Sequence, residues 1–133
     1  MTRERLMEKL QNYKKALARL EEAIAEKEPN QYVYDAVVKR FEFTYELAWR
    51  VLKAYLEYAG IADLRFPREI FKEAYAKGLL PDGEVWLEMW QDRNLSSHPY
   101  SQERAIEIYS WVREKYLQEF VRLAATVEGE MRK

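Results

Sequence analysis

Cysteine is absent from this 133-residue chain, which excludes disulfides, thiolate metal ligation and cysteine nucleophiles. Histidine occurs once, so a site built on paired imidazoles cannot form within one copy. Glycine and proline number only 4 each, and that scarcity of turn-formers favours long helices over a sheet with many reversals. No apolar run approaches the ~18 residues of a membrane span. Met1-Thr2-Arg3-Glu4-Arg5 leads straight into a charged periodic segment with no apolar signal region. A soluble cytoplasmic protein without membrane contact is the simplest expectation. The formal net charge of -1 leaves no global basic field and argues against strong non-specific nucleic-acid binding. What is present is packing material: 48% hydrophobic and 14% aromatic residues beside 34% charged ones. That suits a single domain over 1–133 with a substantial core.

Apolar residues recur at helical spacing throughout. Leu6, Leu10, Tyr13, Leu17, Leu20 and Ile24 alternate steps of four and three, predicting a one-sided helix from Thr2 to Glu28. Pro29-Asn30 breaks the pattern. A second helix is expected from Gln31 to Ala59, with Val33, Val37, Phe41, Tyr45, Ala48, Leu52 and Tyr55 inward and Gly60 as its C-terminal cap. Pro67 suits the start of a short third helix reaching Lys77 and ending at Gly78. Asp82 can cap a fourth, carrying Val85, Trp86, Met89 and Trp90. Ser101 can cap a long fifth, whose inward side is Ile106, Tyr109, Val112, Tyr116, Phe120, Leu123 and Val127. Nothing alternates with period two. The expected fold is therefore all-α, an up-and-down four-helix bundle with a short extra helix. Four tryptophans and ten tyrosines exceed the needs of so thin a bundle; an aromatic-rich core and an aromatic face covered by a partner both account for them, and a homodimer satisfies both.

The chemistry concentrates in Asp92-Arg93-Asn94-Leu95-Ser96-Ser97-His98-Pro99-Tyr100. Imidazole titrates near neutrality, and guanidinium is a permanent forked cation suited to phosphate. On a continuous helix Arg93 and His98 would point to different faces. Pro99 pushes the residue before it out of helical geometry, so the helix should end near Ser97 and leave His98 free to turn toward Arg93. Asn94 and Ser97, one turn apart, can hold the imidazole or a phosphate oxygen. Trp86, Trp90 and Arg93 share one face, which places the guanidinium at the edge of packed aromatics. Metal-free RNA cleavage requires a base, an acid and a cation at phosphorus. One histidine cannot easily serve both proton transfers, but two copies facing each other could. A capping histidine near a helix end is the bland alternative.

Arg93-x-x-x-x-His98-x-Tyr100, with Asn94 directly after the arginine, resembles the signature of the HEPN superfamily of helical bundles. Lys39 through Arg50 resembles the second-helix motif of the nucleotidyltransferase substrate-binding proteins, and Pro67-Arg68-Glu69, Gly78-Leu79, Asp82-Gly83 and Trp86 through Tyr100 are similar to that family's later blocks. The resemblance spans about Asp35 to Tyr109. It implies a dimerising four-helix bundle that partners a small nucleotidyltransferase encoded nearby, in a toxin–antitoxin-like pair of genes. It also implies an alternative, a metal-independent endoribonuclease toxin silenced when the transferase attaches AMP to a tyrosine. On that mapping Arg93 and His98 are catalytic, Asn94 is supporting and Tyr100 is the modified tyrosine. Pro99 stiffens the turn that presents Tyr100. RNA or a nucleotide stands as a further ligand, and no cofactor or metal is expected.

Glu42 and Glu46 lie one turn apart, and ion pairing with Lys39, Arg40 or Arg50 explains them more simply than a paired-carboxylate site. Glu46, set among Tyr45, Ala48 and Trp49, is the better functional candidate, since a bond to Arg93 would orient the guanidinium. Asp92 could orient Arg93 in the same way, although a solvated helix-surface carboxylate is the simpler reading. From Pro81 to Tyr100 four acids (Asp82, Glu84, Glu88, Asp92) face one base, Arg93; from Ile61 to Leu80 four bases (Arg65, Arg68, Lys72, Lys77) face three acids. RNA backbone contacts would thus have to come from Arg65, Arg68 and Lys72 or from a second copy. A helical partner protein, a ribonuclease and a plain structural adaptor are the three readings this leaves.

Overall fold

The computed structural model describes residues 1–96 and 101–133, and of residues 94–96 the backbone alone. Helix α1 (Arg3–Ile24) begins where the Thr2 hydroxyl accepts the Arg5 amide at 3.2 Å. It stops at Ile24 instead of running to Glu28. Pro29 disfavours helix at the residue before it, and Asn30 must stand extended (φ -135°, ψ -175°) to accept the Val33 amide and start α2 (Gln31–Tyr58). At the far end of α2 the amides of Gly60 and Ile61 bond back to Glu57 and Leu56 at 3.0 and 2.8 Å. That closure needs φ of +97° at Gly60, a conformation cheap only for glycine.

Pro67 opens the short α3 (Pro67–Ala76), and Gly78 closes it with φ +78°. Asp82 accepts the amides of Glu84 and Val85 to start α4 (Gly83–Ser96). Ser101 accepts the Arg104 amide to start α5 (Gln102–Trp111). A π-helical turn (Val112–Tyr116) joins α5 to α6 (Leu117–Met131) with helical backbone at both joints, so the three form one rod. No strand occurs among the described residues.

Cross-helix pairs show the order of the bundle. Arg40 donates to the Arg19 carbonyl and Thr44 to that of Ala16, so α1 and α2 run antiparallel. Arg3 reaches Met131 and Tyr13 the Phe120 carbonyl, so α1 opposes α6. Trp86 meets Phe120 and Glu88 meets Lys115, so α4 opposes the same rod. The result is the expected up-and-down four-helix bundle with α3 as the extra element. Its centre is a chain of aromatic rings, Tyr116–Phe41–Tyr45–Phe71–Trp86–Phe120, with successive centroids 5.4–6.4 Å apart. Such contacts add to the area term of burial. The aromatic surplus is thus partly interior, while Tyr32, Phe43, Phe66 and Tyr75 lie exposed.

Ile106, expected inside, is exposed; Ala105 and Ile108 are buried instead. The π turn is the cause. It inserts extra backbone without adding a helical repeat, so extrapolating α-spacing backward from Phe120 lands about one residue late in α5.

Candidate functional site

Along α4 one face passes from core to surface. Trp86 is fully buried, Trp90 is half-buried, and the Arg93 side chain keeps 24% of its exposure. The guanidinium therefore emerges at the rim of the aromatic core. There it meets Glu46 of α2, with Arg93 Nη2 3.5 Å from Glu46 Oε1. The other carboxylate oxygen accepts the Trp49 indole N–H at 3.1 Å, with Arg50 at 3.9 Å. Each oxygen thus has its own partner, and the indole, one turn along α2, fixes the carboxylate that faces Arg93. Of the simpler pairings expected for Glu46, only Arg50 approaches, and it is the longer contact.

Tyr45 lies beneath this pair. Burial pushes its phenol well above the ordinary value, the Glu46 charge adds to the shift, and Arg93 opposes it. It stays protonated at every physiological pH, and among the described residues its hydroxyl makes no hydrogen bond.

Asp92 departs from expectation. Instead of being solvated it accepts a hydrogen bond from the Tyr116 hydroxyl and stands 3.4 Å from Arg104 Nη2. Neighbouring helical residues diverge by about 100°, so Asp92 faces the α5–α6 rod while Arg93 faces α2. Arg104 in turn lies over Trp111, 4.7 Å from the ring centroid, and 3.2 Å from Glu107. Burial raises the Tyr116 phenol strongly, and the Asp92 carboxylate raises it further. Nothing in the sequence signalled this network, because Tyr116 reads as one more member of an apolar stripe.

Two of the four acids of the motif helix are answered from the rod, Asp92 by Arg104 and Glu88 by Lys115 at 2.8 Å. The negative charge of α4 is therefore less forbidding to a polyanion than the segment alone suggests.

The structure brings Arg93 and Glu46 together. Ser97, His98, Pro99 and Tyr100, and the side chain of Asn94, lie outside the described residues. Among the described residues no group of three or more His, Asp or Glu is placed to hold a metal, and no helix is long and apolar enough to cross a membrane.

Three likenesses to known proteins meet on this scaffold. A curated Haemophilus influenzae protein, described as a probable ribonuclease HepT, is 32% identical over 79 residues, covering 56% of this chain and 54% of that one. The match thus spans about half the length of that relative. A crystal structure from Thermus thermophilus is 32% identical with a TM-score of 0.75, covering 91% of this chain and 99% of that one. A Haemophilus influenzae structure, described as revealing the fold of a substrate-binding domain of a nucleotidyltransferase, is 26% identical with a TM-score of 0.79, covering 90% and 98%. The family profile described as nucleotidyltransferase substrate binding protein like matches residues 8–129. The chain belongs to the nucleotidyltransferase substrate-binding protein family.

Proposed function

We propose that this protein is the HEPN-type helical partner of a minimal nucleotidyltransferase, working as a homodimer in a two-gene, toxin–antitoxin-like module. The observation that carries the reading is the family match over residues 8–129, joined to a structural neighbour described as a nucleotidyltransferase substrate-binding domain. Co-expression with the transferase encoded beside it, followed by size-exclusion chromatography with light scattering, tests it. A complex built on two copies of this chain is the expected result. Two proteins that elute separately at micromolar concentration would reject the partnership.

The Arg93–Glu46 pair favours a second reading for the same module, a metal-independent endoribonuclease. Its cation is oriented by a carboxylate and lies close in sequence to the lone histidine. In that chemistry the ribose 2′-hydroxyl loses its proton and its oxygen attacks phosphorus. The P–O5′ bond breaks, and the departing oxygen takes a proton. Arg93 neutralises the crowded phosphorus centre, while His98 of one copy and His98 of the other serve the two proton transfers. Asn94 and Ser97 hold the imidazole or a phosphate oxygen. The transferase moves AMP from ATP onto the Tyr100 hydroxyl, releasing pyrophosphate, and this silences cleavage.

Incubating structured RNA with the purified dimer in EDTA tests this reading. Cleavage by wild type, lost in Arg93→Ala and His98→Ala, is expected; intact RNA with a correctly folded wild-type dimer would refute it. Mass spectrometry after co-expression should find one AMP on Tyr100, and an unmodified Tyr100 peptide would remove the silencing mechanism.

A further inference from the structure

The N-terminus of α3 carries a side chain that folding does not explain. Phe66 occupies the N-cap position, where Ser, Thr, Asp or Asn is preferred, and its ring is 65% exposed. The ring has no acceptor to offer the cap, whose side-chain bond runs instead from the Phe66 amide to the Glu69 carboxylate at 3.1 Å. Beside it opens a groove of about 580 Å³ lined by Phe66, Pro67, Arg68, Glu69, Lys72 and Trp90. Two aromatic rings, one at the start of α3 and one on α4, thus border one surface depression.

Its charge is as particular as its shape. Arg68 and Lys72 form no ion pair among the described residues. The one acid on the lining, Glu69, is drawn back onto the Phe66 amide. Arg65 stands just before the groove, and the positive end of the α3 dipole points the same way. Trp90 lies one helical turn from Arg93 on the same face of α4, roughly 5–6 Å away at the level of Cβ.

We propose that this groove is a single-stranded RNA subsite, with bases stacked on Phe66 and Trp90 and backbone phosphates held by Arg68 and Lys72, leading the strand toward Arg93. Aromatic platforms interleaved with cations are what sequence-tolerant single-strand binding requires. The choice of RNA as the strand rests on the ribonuclease reading of Arg93. The placement of the subsite rests on the groove alone.

An oligouridylate of about eight nucleotides, fluorescein-labelled and 2′-O-methylated throughout, cannot be cleaved, so fluorescence anisotropy with it reads binding only. Phe66→Ala should weaken binding about tenfold. Phe66→Trp should restore it, while Phe66→Leu, which keeps apolar bulk without a π-face, should not. Arg68→Ala with Lys72→Ala should lower the slope of log K against log salt by about 1.4, the loss of two single-strand phosphate contacts. Lys15→Ala, on the exposed face of α1, should bind as wild type. Absence of wild-type binding at low salt would overturn the subsite, as would binding indifferent to Phe66, Arg68 and Lys72; either result would follow if the groove receives a protein instead.

Cleavage of unmodified RNA judges the other reading separately. A cleaving enzyme with an idle groove rejects only the subsite. Groove-dependent binding without cleavage supports the subsite and rejects only the chemistry.

Discussion

Replacing Glu46 with glutamine removes one charge and keeps the shape, including an oxygen able to accept the indole N–H of Trp49, whose nitrogen is now 3.1 Å away. What disappears is the attraction to Arg93 across 3.5 Å, together with the longer one to the more exposed Arg50 across 3.9 Å, which a double-mutant cycle with Arg93 cancels. At an effective dielectric near 20, two unit charges at that distance attract by about 5 kcal/mol. Most of this is offset: the side chains keep 24% and 34% of their exposure, so water and salt screen the pair, and holding two long side chains costs entropy. Exposed pairs retain ~0.2–1 kcal/mol, and hydrogen bonds to charged groups ~1.5–3 kcal/mol. A partly exposed contact at 3.5 Å belongs near ~1 kcal/mol.

The assay is a double-mutant cycle of Glu46→Gln and Arg93→Met in urea. Each single variant should lower the midpoint by about 0.5 M. The coupling should be about 1 kcal/mol at low salt and fall clearly when the Debye length shrinks toward ~3 Å in molar salt. Coupling below about 0.3 kcal/mol at low salt, with native helicity retained, would refute the claim that Glu46 holds Arg93. If Arg93 acts at phosphorus, Glu46→Gln should also lower kcat more than it raises KM, because a misaligned cation costs most at the transition state.

Three further outcomes follow from the packing. Phe71→Ala, which removes a buried ring from between Tyr45 and Trp86, should cost about 3–5 kcal/mol in chemical denaturation; a loss under about 1 kcal/mol would mean that the aromatic chain is not a packed unit. Tyr116→Phe deletes the hydroxyl that Asp92 accepts and should destabilise by about 1–2 kcal/mol, whereas an unchanged midpoint would show the bond to be inconsequential. Burial raises the Glu119 carboxyl above its usual value, with Arg122 opposing. The native state therefore holds that proton longer than the unfolded chain, and stability declines as pH rises from the ordinary carboxylate range through the raised value. Glu119→Gln should flatten this decline in pH-dependent thermal melts, and an unaltered slope would contradict it.

The helix boundaries were readable because the punctuation is local. Pro67, Gly60, Gly78, Asp82 and Ser101 each act within a few residues through a fixed dihedral or one capping bond. Arg93 at an aromatic rim was readable too, since Trp86, Trp90 and Arg93 follow simple helical spacing. The placement of Glu46 opposite Arg93 depended on knowing which neighbours surround it on α2. By contrast, the pairing of Asp92 with Tyr116 and Arg104 needs the register between two helices, which no single-helix pattern carries. The misplacement of Ile106 has the same root, because the sequence Val112-Arg113-Glu114-Lys115-Tyr116 looks like ordinary helix and does not advertise its wider turn.

That wider turn acts as a phase shifter in the fourth column of the bundle. Downstream, Phe120, Leu123 and Val127 are locked into the core; upstream, Ala105 and Ile108 are buried on a face offset by about one residue. Deleting one residue between Arg113 and Lys115 would remove that extra residue and let the column close as a plain α-helix, with the phase of its two flanks kept. Adding one there, taken up as ordinary helix, would instead rotate the upstream part by about 100°. Ile108 would swing outward, and Arg104 would leave Asp92. The damage would fall on the end of the bundle that carries Arg93, even though the insertion touches no residue of the site. This stretch is therefore sensitive to length in one direction: substitutions at Arg113 or Glu114 and a one-codon deletion should pass quietly where a one-codon insertion does not.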